Sequence, residues 1–365
     1  MQNHSGPIVL AHRAYWEPAD FKSEMLAIEE TIWSMVGLTY DIPNDNDYIT
    51  LMVGEKSVVI QNFKGELRAF DNVCAHRLSR IRSAEKGNGP LRCPYHSWVY
   101  NAEGRPVAIP HEKEAFDFSE TERRDVHLKK WQLALCGQFI FIRGSDQGPT
   151  LPEALGDTFA PLSEISNNLV REIDTFTCEY EANWKICVEN TLDEYHAQFV
   201  HPTTFRPMLS GDFVYSYDGR QSKVEAGITE KNTERWQRIA RHFETRAIKT
   251  DTYYHYLVFP LMTVASTFGV SFSIQTFRPL TPERTLLTSR LFLGVQGPSS
   301  IRGVEESLGN SAKEFNRTVF LEDKFVCEQV QLGLKQRGAP RGVMGKFEQR
   351  LMHFQKSALE VFDYK

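Results

Sequence analysis

The chain has 365 residues, 41% hydrophobic and 24% charged, an ordinary globular balance with length for two domains. Its formal charge, 42 − 47 = −5, gives no basic signature for nucleic acid or anionic lipid, and no apolar run reaches the length of a membrane span. Six cysteines are too few for a disulfide framework, and Met1-Gln2-Asn3-His4-Ser5-Gly6 lacks the basic and apolar regions of a secretion signal, so the expected compartment is the reducing cytoplasm.

Residues 1–17 read as irregular. From Pro18 to about Val36 the residues Phe21, Met25, Ile28, Ile32 and Met35 or Val36 recur at helical spacing, with Pro18 suited to the start and Gly37 to the stop. After Pro43 the texture changes to short strands: Tyr48–Val53, Ser57–Gln61 and, past a Lys64-Gly65 turn, Glu66–Phe70. Trp98–Tyr100 and Pro106–Ala108 flank a turn at Asn101–Gly104, and Gln138–Arg143 closes a small all-β domain placed at 38–145. Gly144–Pro152 reads as a linker. Residues 146–365, taken with 1–37, form the second domain. There the pattern predicts a helix from Asn183 to about Phe199, strands within 253–278 and over Arg284–Leu293, and a long helix over Lys313–Leu334. The apolar stripe of that last helix is Phe315, Val319, Phe320, Val326, Val330 and Leu334.

Inside the β block, Cys74-Ala75-His76 is followed, after a loop-like insert of sixteen residues, by Cys93-Pro94-Tyr95-His96. Each arm brings one thiolate and one imidazole to a turn. Cys-x-His…Cys-x-x-His suits a [2Fe–2S] cluster of Rieske type, two cysteines on one iron and two histidines on the other. A single tetrahedral zinc is the competing reading. Zinc fingers and ribbons, however, pair like residues with like, whereas both arms here are mixed. Cys136, Cys178, Cys187 and Cys327 lie far apart and read as buried reduced thiols.

A second constellation is Asp193-Glu194-Tyr195-His196-Ala197-Gln198-Phe199-Val200-His201. Histidines five apart do not share a helical face, but Pro202 puts His201 just past a helix end, free to bend back. Both imidazoles can then meet one metal, with Asp193 on the helix face of His196. Two imidazoles and a carboxylate make the facial triad of non-haem iron(II), which leaves open positions for other ligands. The carboxylate is sought on the long helix, at Glu322 or Asp323. Asp323 has apolar neighbours at Val319, Val326 and Val330 and is expected to face inward, Glu322 to face water. A histidine pair at a helix end is by itself more often structural; the Cys/His signature upstream reverses that weighting. His255 is a rival ligand but sits in an aromatic strand run, and His12, His111, His127, His242 and His353 have no ligand-like neighbours.

Together these motifs resemble the Rieske non-haem iron oxygenases, specifically the large (alpha) subunit of aromatic ring-hydroxylating oxygenases, with similarity also to carnitine and choline monooxygenases. Asn72-Val73-Cys74-Ala75-His76-Arg77, Cys93-Pro94-Tyr95-His96-Ser97-Trp98, Asn183-Trp184-Lys185, Asp193 to His201 and Glu322-Asp323 with Glu328, Gln331, Gly333 and Leu334 carry the resemblance over nearly the whole chain. It implies an α+β chain, a small all-β Rieske domain beside a helix-grip catalytic domain with an antiparallel sheet. Carried over by position, Cys74, His76, Cys93 and His96 match the cluster ligands, and His196, His201 and Asp323 the mononuclear iron ligands. Asp193 matches the carboxylate that bridges to a cluster histidine of a neighbouring subunit, which implies a head-to-tail homotrimer, with or without a small beta subunit. Ser97 departs from the usual glycine or alanine, and its hydroxyl is a candidate hydrogen bond near the cluster.

The resemblance also implies a terminal oxygenase using O2 and electrons from NAD(P)H through a separate flavin reductase or ferredoxin; no Gly-x-Gly-x-x-Gly nucleotide loop occurs in this chain. Substrate walls are sought at Phe199, residues 205–215, the Tyr253–Phe259 run and the strands through Phe277, where Tyr253, Tyr254, Tyr256, Phe259, Phe268 and Phe272 offer rings. Such rings suit a flat aromatic substrate by stacking, as in aromatic hydrocarbon catabolism, or a quaternary ammonium by cation–π attraction. The aromatic substrate is taken first. A Rieske electron carrier without catalytic iron is the rival from another class.

Overall fold

The computed structural model describes residues 6–240, 244–245, 251–296 and 302–364; His242 lies outside them. The chain divides into two compact units, Met25–Ala154 and Met1–Glu24 with Leu155–Lys365. One boundary falls inside the helix α1 (Pro18–Glu30), the other just beyond the Gly144–Pro152 stretch. Helix α1 stops short of the expected Val36. Residues Ser34–Leu38 are instead strand β1, paired antiparallel with Phe139–Arg143. A sheet partner far along the chain outweighs one more turn of apolar periodicity.

In the Met25–Ala154 unit the strands are β1, β2 (Asp47–Val53), β3 (Lys56–Phe63), β4 (Glu66–Asp71), β5 (Lys86–Asn88), β6 (Val99–Tyr100), β7 (Pro106–Ala108), β8 (Lys130–Cys136) and β9 (Phe139–Arg143). An antiparallel sheet runs in the order β1-β9-β8-β4-β3-β2-β5, and β6 pairs with β7 in a separate ribbon. Val58, Val59 and Ile60 are all fully buried, the continuous apolar texture of a central strand. A core cluster of Tyr48, Val59, Phe70, Ile81, Leu91, Trp98, Tyr100 and Leu128 encloses Cys74 and Cys93.

The larger unit is built on an antiparallel sheet of β10 (Arg171–Tyr180), β11 (Leu209–Asp218), β12 (Gln221–Ile228), β13 (Thr252–Val258), β14 (Met262–Thr267), β15 (Ser271–Thr281) and β16 (Arg284–Leu293), in the order β10-β16-β15-β14-β13-β12-β11. The expected helix over Asn183–Phe199 is two helices, α2 (Trp184–Thr191) and α3 (Ala197–Val200). Asp193 explains the break: its Oδ1 accepts from the amides of Tyr195 (2.8 Å) and His196 (3.3 Å), a local turn that competes with helix. Helices α4 (Glu230–Ala240), α5 (Arg302–Leu334) and α6 (Gln349–Val361) follow.

Helix α5 starts at Arg302 rather than Lys313 and lies on the sheet. Asn316 hydrogen-bonds Ser273 and Ser289, and the Tyr180 hydroxyl donates to Phe320 O at 2.7 Å. Its buried face is Asn316, Val319, Phe320, Asp323, Cys327 and Gln331, turned from the expected stripe, and Val330 is exposed. The stripe was drawn through apolar residues alone, whereas the sheet offers polar partners to Asn316, and Asn183 and Tyr15 offer them to Gln331. Among the described residues no helix is long and apolar enough to cross a membrane.

Candidate metal centres

Cys74 and Cys93 open two loops of like geometry. The amide of Cys74 donates to Ser79 O and that of Cys93 to Trp98 O, both at 2.9 Å, while Leu78 N returns to Cys74 O and Ser97 N to Cys93 O, both at 3.1 Å. Leu78 and Ser97, each four residues past its cysteine, have φ of 57° and 60°. That left-handed turn is the one glycine takes at least cost, so Ser97 adopts it against its own backbone preference.

Both thiols are 1% exposed, whereas His76 and His96 are half-buried. His76 lies flat against Trp98 (5.0 Å, 5°), takes Phe116 edge-on at 5.3 Å, and sits 4.6 Å from His96. Its buried Nδ1 has no hydrogen-bond partner. Burial, then the nearby His96 and Arg77, push the His76 pKa down and favour the neutral ring that can ligate. Burial raises the Cys74 thiol, and the Tyr100 hydroxyl lies 3.1 Å from its sulfur. Ligand atoms around one tetrahedral zinc lie about 3.3–3.8 Å apart. Here two buried thiols and two neighbouring imidazoles form two mixed arms, the donor set of a two-iron cluster rather than of a zinc finger.

The second donor set is tighter. The ligand atoms of His196, His201 and Asp323 all lie within 4.8 Å of one another, the one such group among the described residues. The two Nε2 atoms are 3.1 Å apart, and Asp323 Oδ1 stands 3.3 Å from His196 Nε2 and 3.0 Å from His201 Nε2. Asp323 Oδ1 is buried without a well-formed hydrogen bond, and the two ring nitrogens that crowd it also face each other, so three potential ligand atoms converge on one point. That fits a cation bound there. Burial opposes charge on Asp323, but the two imidazoles hold its pKa down at about 2. Burial likewise opposes charge on His196, and Asp193 and Asp323 carry its pKa up to about 10 in the metal-free chain, so a metal must displace that proton.

The surrounding groups hold the ligands. Asp193 Oδ2 is 3.4 Å from His196 Nδ1, and Glu322 Oε2 is 2.8 Å from His201 Nδ1. Glu322 therefore does not simply face water as expected. It is half-buried and aims His201, because His201 folds back onto α5 from the end of α3. Glu194, next to Asp193, is buried, and Arg350 Nη1 donates to its Oε1 at 2.9 Å; burial outweighs the arginine and pushes its pKa up to about 7. The rival ligand His255 is not in the triad. It lies with Glu194 and the triad around a small pocket of about 70 Å³.

Sharing walls with that pocket is a cavity of about 530 Å³. Phe205, Trp236, Tyr253, Phe268, Phe315 and Phe320 give it an aromatic lining, and Arg235 is the one charged residue among the described residues that line it. Of the rings expected as walls, Tyr253 and Phe268 line it, whereas Phe199, Tyr254, Tyr256, Phe259 and Phe272 do not. Phe199 is 69% exposed beside Tyr195. On β13 Tyr253 and His255 face the site, so strand alternation sends Tyr254 and Tyr256 to the opposite face, where their rings meet at 5.7 Å. Phe259 packs on Phe354 and Phe362. Of the Tyr253–Phe259 run, Tyr253 alone lines the cavity, and the side chains that α4 adds were not sought there.

A Rieske-type sheet carrying a Cys/His set, and a helix-on-sheet unit carrying a two-histidine, one-carboxylate set, have the make-up of a two-centre iron protein. Residues 32–131 match the Rieske [2Fe-2S] domain, and residues 168–363 match the ring hydroxylating alpha subunit (catalytic domain). The chain belongs to the ring-hydroxylating alpha subunit family, whose cofactors are a [2Fe–2S] cluster and a mononuclear iron. It is 30% identical over 215 residues to the glycine betaine monooxygenase oxygenase subunit of Chromohalobacter salexigens, covering 58% of this chain and 47% of that one. The match thus spans about half the length of that relative. It is 31% identical over 207 residues to the anthranilate 1,2-dioxygenase large subunit of Acinetobacter baylyi (54% and 43% covered), and 26% identical over 369 residues to the carnitine monooxygenase oxygenase subunit of Escherichia coli K12 (96% and 92%). The crystal structure of the quaternary ammonium Rieske monooxygenase CntA shares the fold, with a TM-score of 0.80 at 21% identity over 97% of this chain and 95% of that one.

Proposed function

We propose that this chain is the terminal oxygenase of a multicomponent system that oxidises a small organic acid bearing a quaternary ammonium group. The observation that carries the reading is the meeting of His196, His201 and Asp323 at one point beside a 530 Å³ aromatic cavity. His196, His201 and Asp323 would hold the mononuclear iron, and Cys74, His76, Cys93 and His96 the cluster. Bound there, the two centres supply one-electron transfer and activation of dioxygen. The chain's own residues do the rest. Asp193 and Glu322 fix the ring planes of the two histidines. The rings of Phe205, Trp236, Tyr253 and Phe268 exclude water and offer faces to a cation, and Arg235 offers its guanidinium to the acid end.

The relatives support the substrate class. Glycine betaine and carnitine each combine a carboxylate with a quaternary nitrogen, and anthranilate combines one with an amine on a ring. An aromatic acid is therefore the second reading, favoured by the rings that line the cavity. Electrons would come from NAD(P)H through a separate reductase or ferredoxin. Six cysteines without a disulfide suit the cytoplasm. Exposed Tyr195, Phe199, Leu321 and Phe325, close to Asp193 and Asp323 in sequence, support self-association into a homotrimer in which Asp193 meets a cluster histidine of the next subunit.

The test is oxygen uptake with mass detection of product, using the reductase-coupled protein and glycine betaine, carnitine, anthranilate and uncharged naphthalene. Turnover of the first two supports the reading; turnover of naphthalene alone overturns the acid class. Metal analysis separates the oxygenase from the electron carrier by three irons per chain against two.

A further inference from the structure

Arg350, on α6, is fully buried, and its guanidinium is spent on four contacts at the back of the iron pocket. Nη1 donates to Glu194 Oε1 at 2.9 Å and Nε to Ser222 Oγ at 3.2 Å. Nη2 lies 3.1 Å from His255 Nδ1 and donates to the His255 carbonyl at 3.2 Å. A guanidinium has no lone pair to give, so His255 Nδ1 must accept and the ring proton must sit on Nε2. Nε2 is buried and has no protein partner, while the ring, 3% exposed, lines the pocket that holds His196, His201 and Asp323. Burial, and then the positive charge of Arg350, push the His255 pKa well down, so the ring stays neutral with one proton. An unpaired N–H donor in so enclosed a place is costly unless a ligand answers it.

We propose that His255 is a substrate-positioning residue, locked by Arg350 as the Nε2–H tautomer so that it offers one hydrogen bond to an acceptor oxygen of the substrate beside the iron. The donor role rests on the acid-substrate reading above; the tautomer lock does not. It follows that the preferred substrate carries a carboxylate or carbonyl oxygen within reach of the reacting carbon, which a bare hydrocarbon lacks.

The lock is tested by neutron diffraction from crystals of the holoenzyme. Deuterium on His255 Nε2 and none on Nδ1 is expected; deuterium on Nδ1 overturns the proposal. The donor is tested by calorimetric binding of glycine betaine, carnitine and anthranilate to the anaerobic holoenzyme. His255→Leu should weaken the bound probe roughly 10–100-fold. His255→Gln, which keeps an N–H at similar reach, should recover most of that, with both variants melting alike. Equal binding by wild type and His255→Leu, or equal losses in both variants, overturns the positioning role. If wild type binds none of the three probes, the acid class and the donor role fall together, and the neutron map alone still decides the lock.

Discussion

Glu322 and Asp323 stand side by side in the chain yet touch opposite nitrogens of one ring: Glu322 Oε2 at Nδ1 (2.8 Å), Asp323 Oδ1 at Nε2 (3.0 Å) of His201. In the proposed site one orients the imidazole and the other would share its metal, so substitutions at the two have different signatures. Glu322→Ala is expected to weaken iron binding at the mononuclear site about 10–100-fold while sparing the cluster. The check is the ratio of total iron to visible cluster absorption after dialysis against a chelator; a wild-type ratio would refute it. Asp193 differs again. Its Oδ1 holds the turn at Tyr195 and His196, which an amide oxygen can also do, while Oδ2 is the anionic contact to His196 Nδ1. Asp193→Asn should therefore keep the fold, the cluster spectrum and the iron but lose coupling between reductant consumed and product formed. Full single-turnover yield in that variant would remove the bridging role.

At the scale of elements, α1 and α2 are joined by polar groups inside the core of the larger unit. Lys185 and Glu24 form an ion pair with no solvent exposure, Trp184 Nε1 donates to Glu24 at 2.7 Å, and Glu189 binds Tyr15 (2.8 Å) and Gln355 (3.0 Å). Removing one member strands a buried charge: Lys185→Met is expected to cost about 3–5 kcal/mol and lower the melting temperature, with Glu24→Gln in the same chain recovering much of the loss. Glu189 gives this cluster a pH dependence. Burial pushes its pKa up to about 7, above 4.5 in the unfolded chain, so the folded form holds the extra proton between those values. Stability from this group is thus complete below about pH 4.5 and is lost as pH rises through 7, by on the order of 3 kcal/mol. Calorimetric melting of wild type minus Glu189→Gln, from pH 5 to pH 8, should show that slope; a flat difference would contradict it.

For the whole molecule the question is whether one chain suffices. If Asp193 serves a cluster histidine of a neighbour, two defective chains can complement. Co-expressed His96→Ala and Asp323→Ala chains should form mixed oligomers with clear activity, each parent homo-oligomer having none. Absence of activity in verified mixed oligomers would place the transfer within a single chain.

Short-range spacing in the chain carried the candidate ligands and the family they point to. Cys74, His76, Cys93 and His96 were legible because each arm is a local turn whose ligand spacing is written in consecutive residues. His196 and His201 were legible because Pro202 marks the helix end. Asp323 was reached across more than a hundred residues by its apolar neighbours, although the helix face they marked is rotated from the one that packs. Only the tertiary structure decided what depends on distant partners. It turned Ser34–Leu38 from helix to strand by supplying Phe139–Arg143, and it brought Glu322 to His201 and Arg350 to His255. It also chose Tyr253 and His255 over Tyr254 and Tyr256. Ligand identity is a property of residue type and short spacing; pocket shape depends on sheet parity and long-range packing, where shifting one residue along a strand exchanges the two faces.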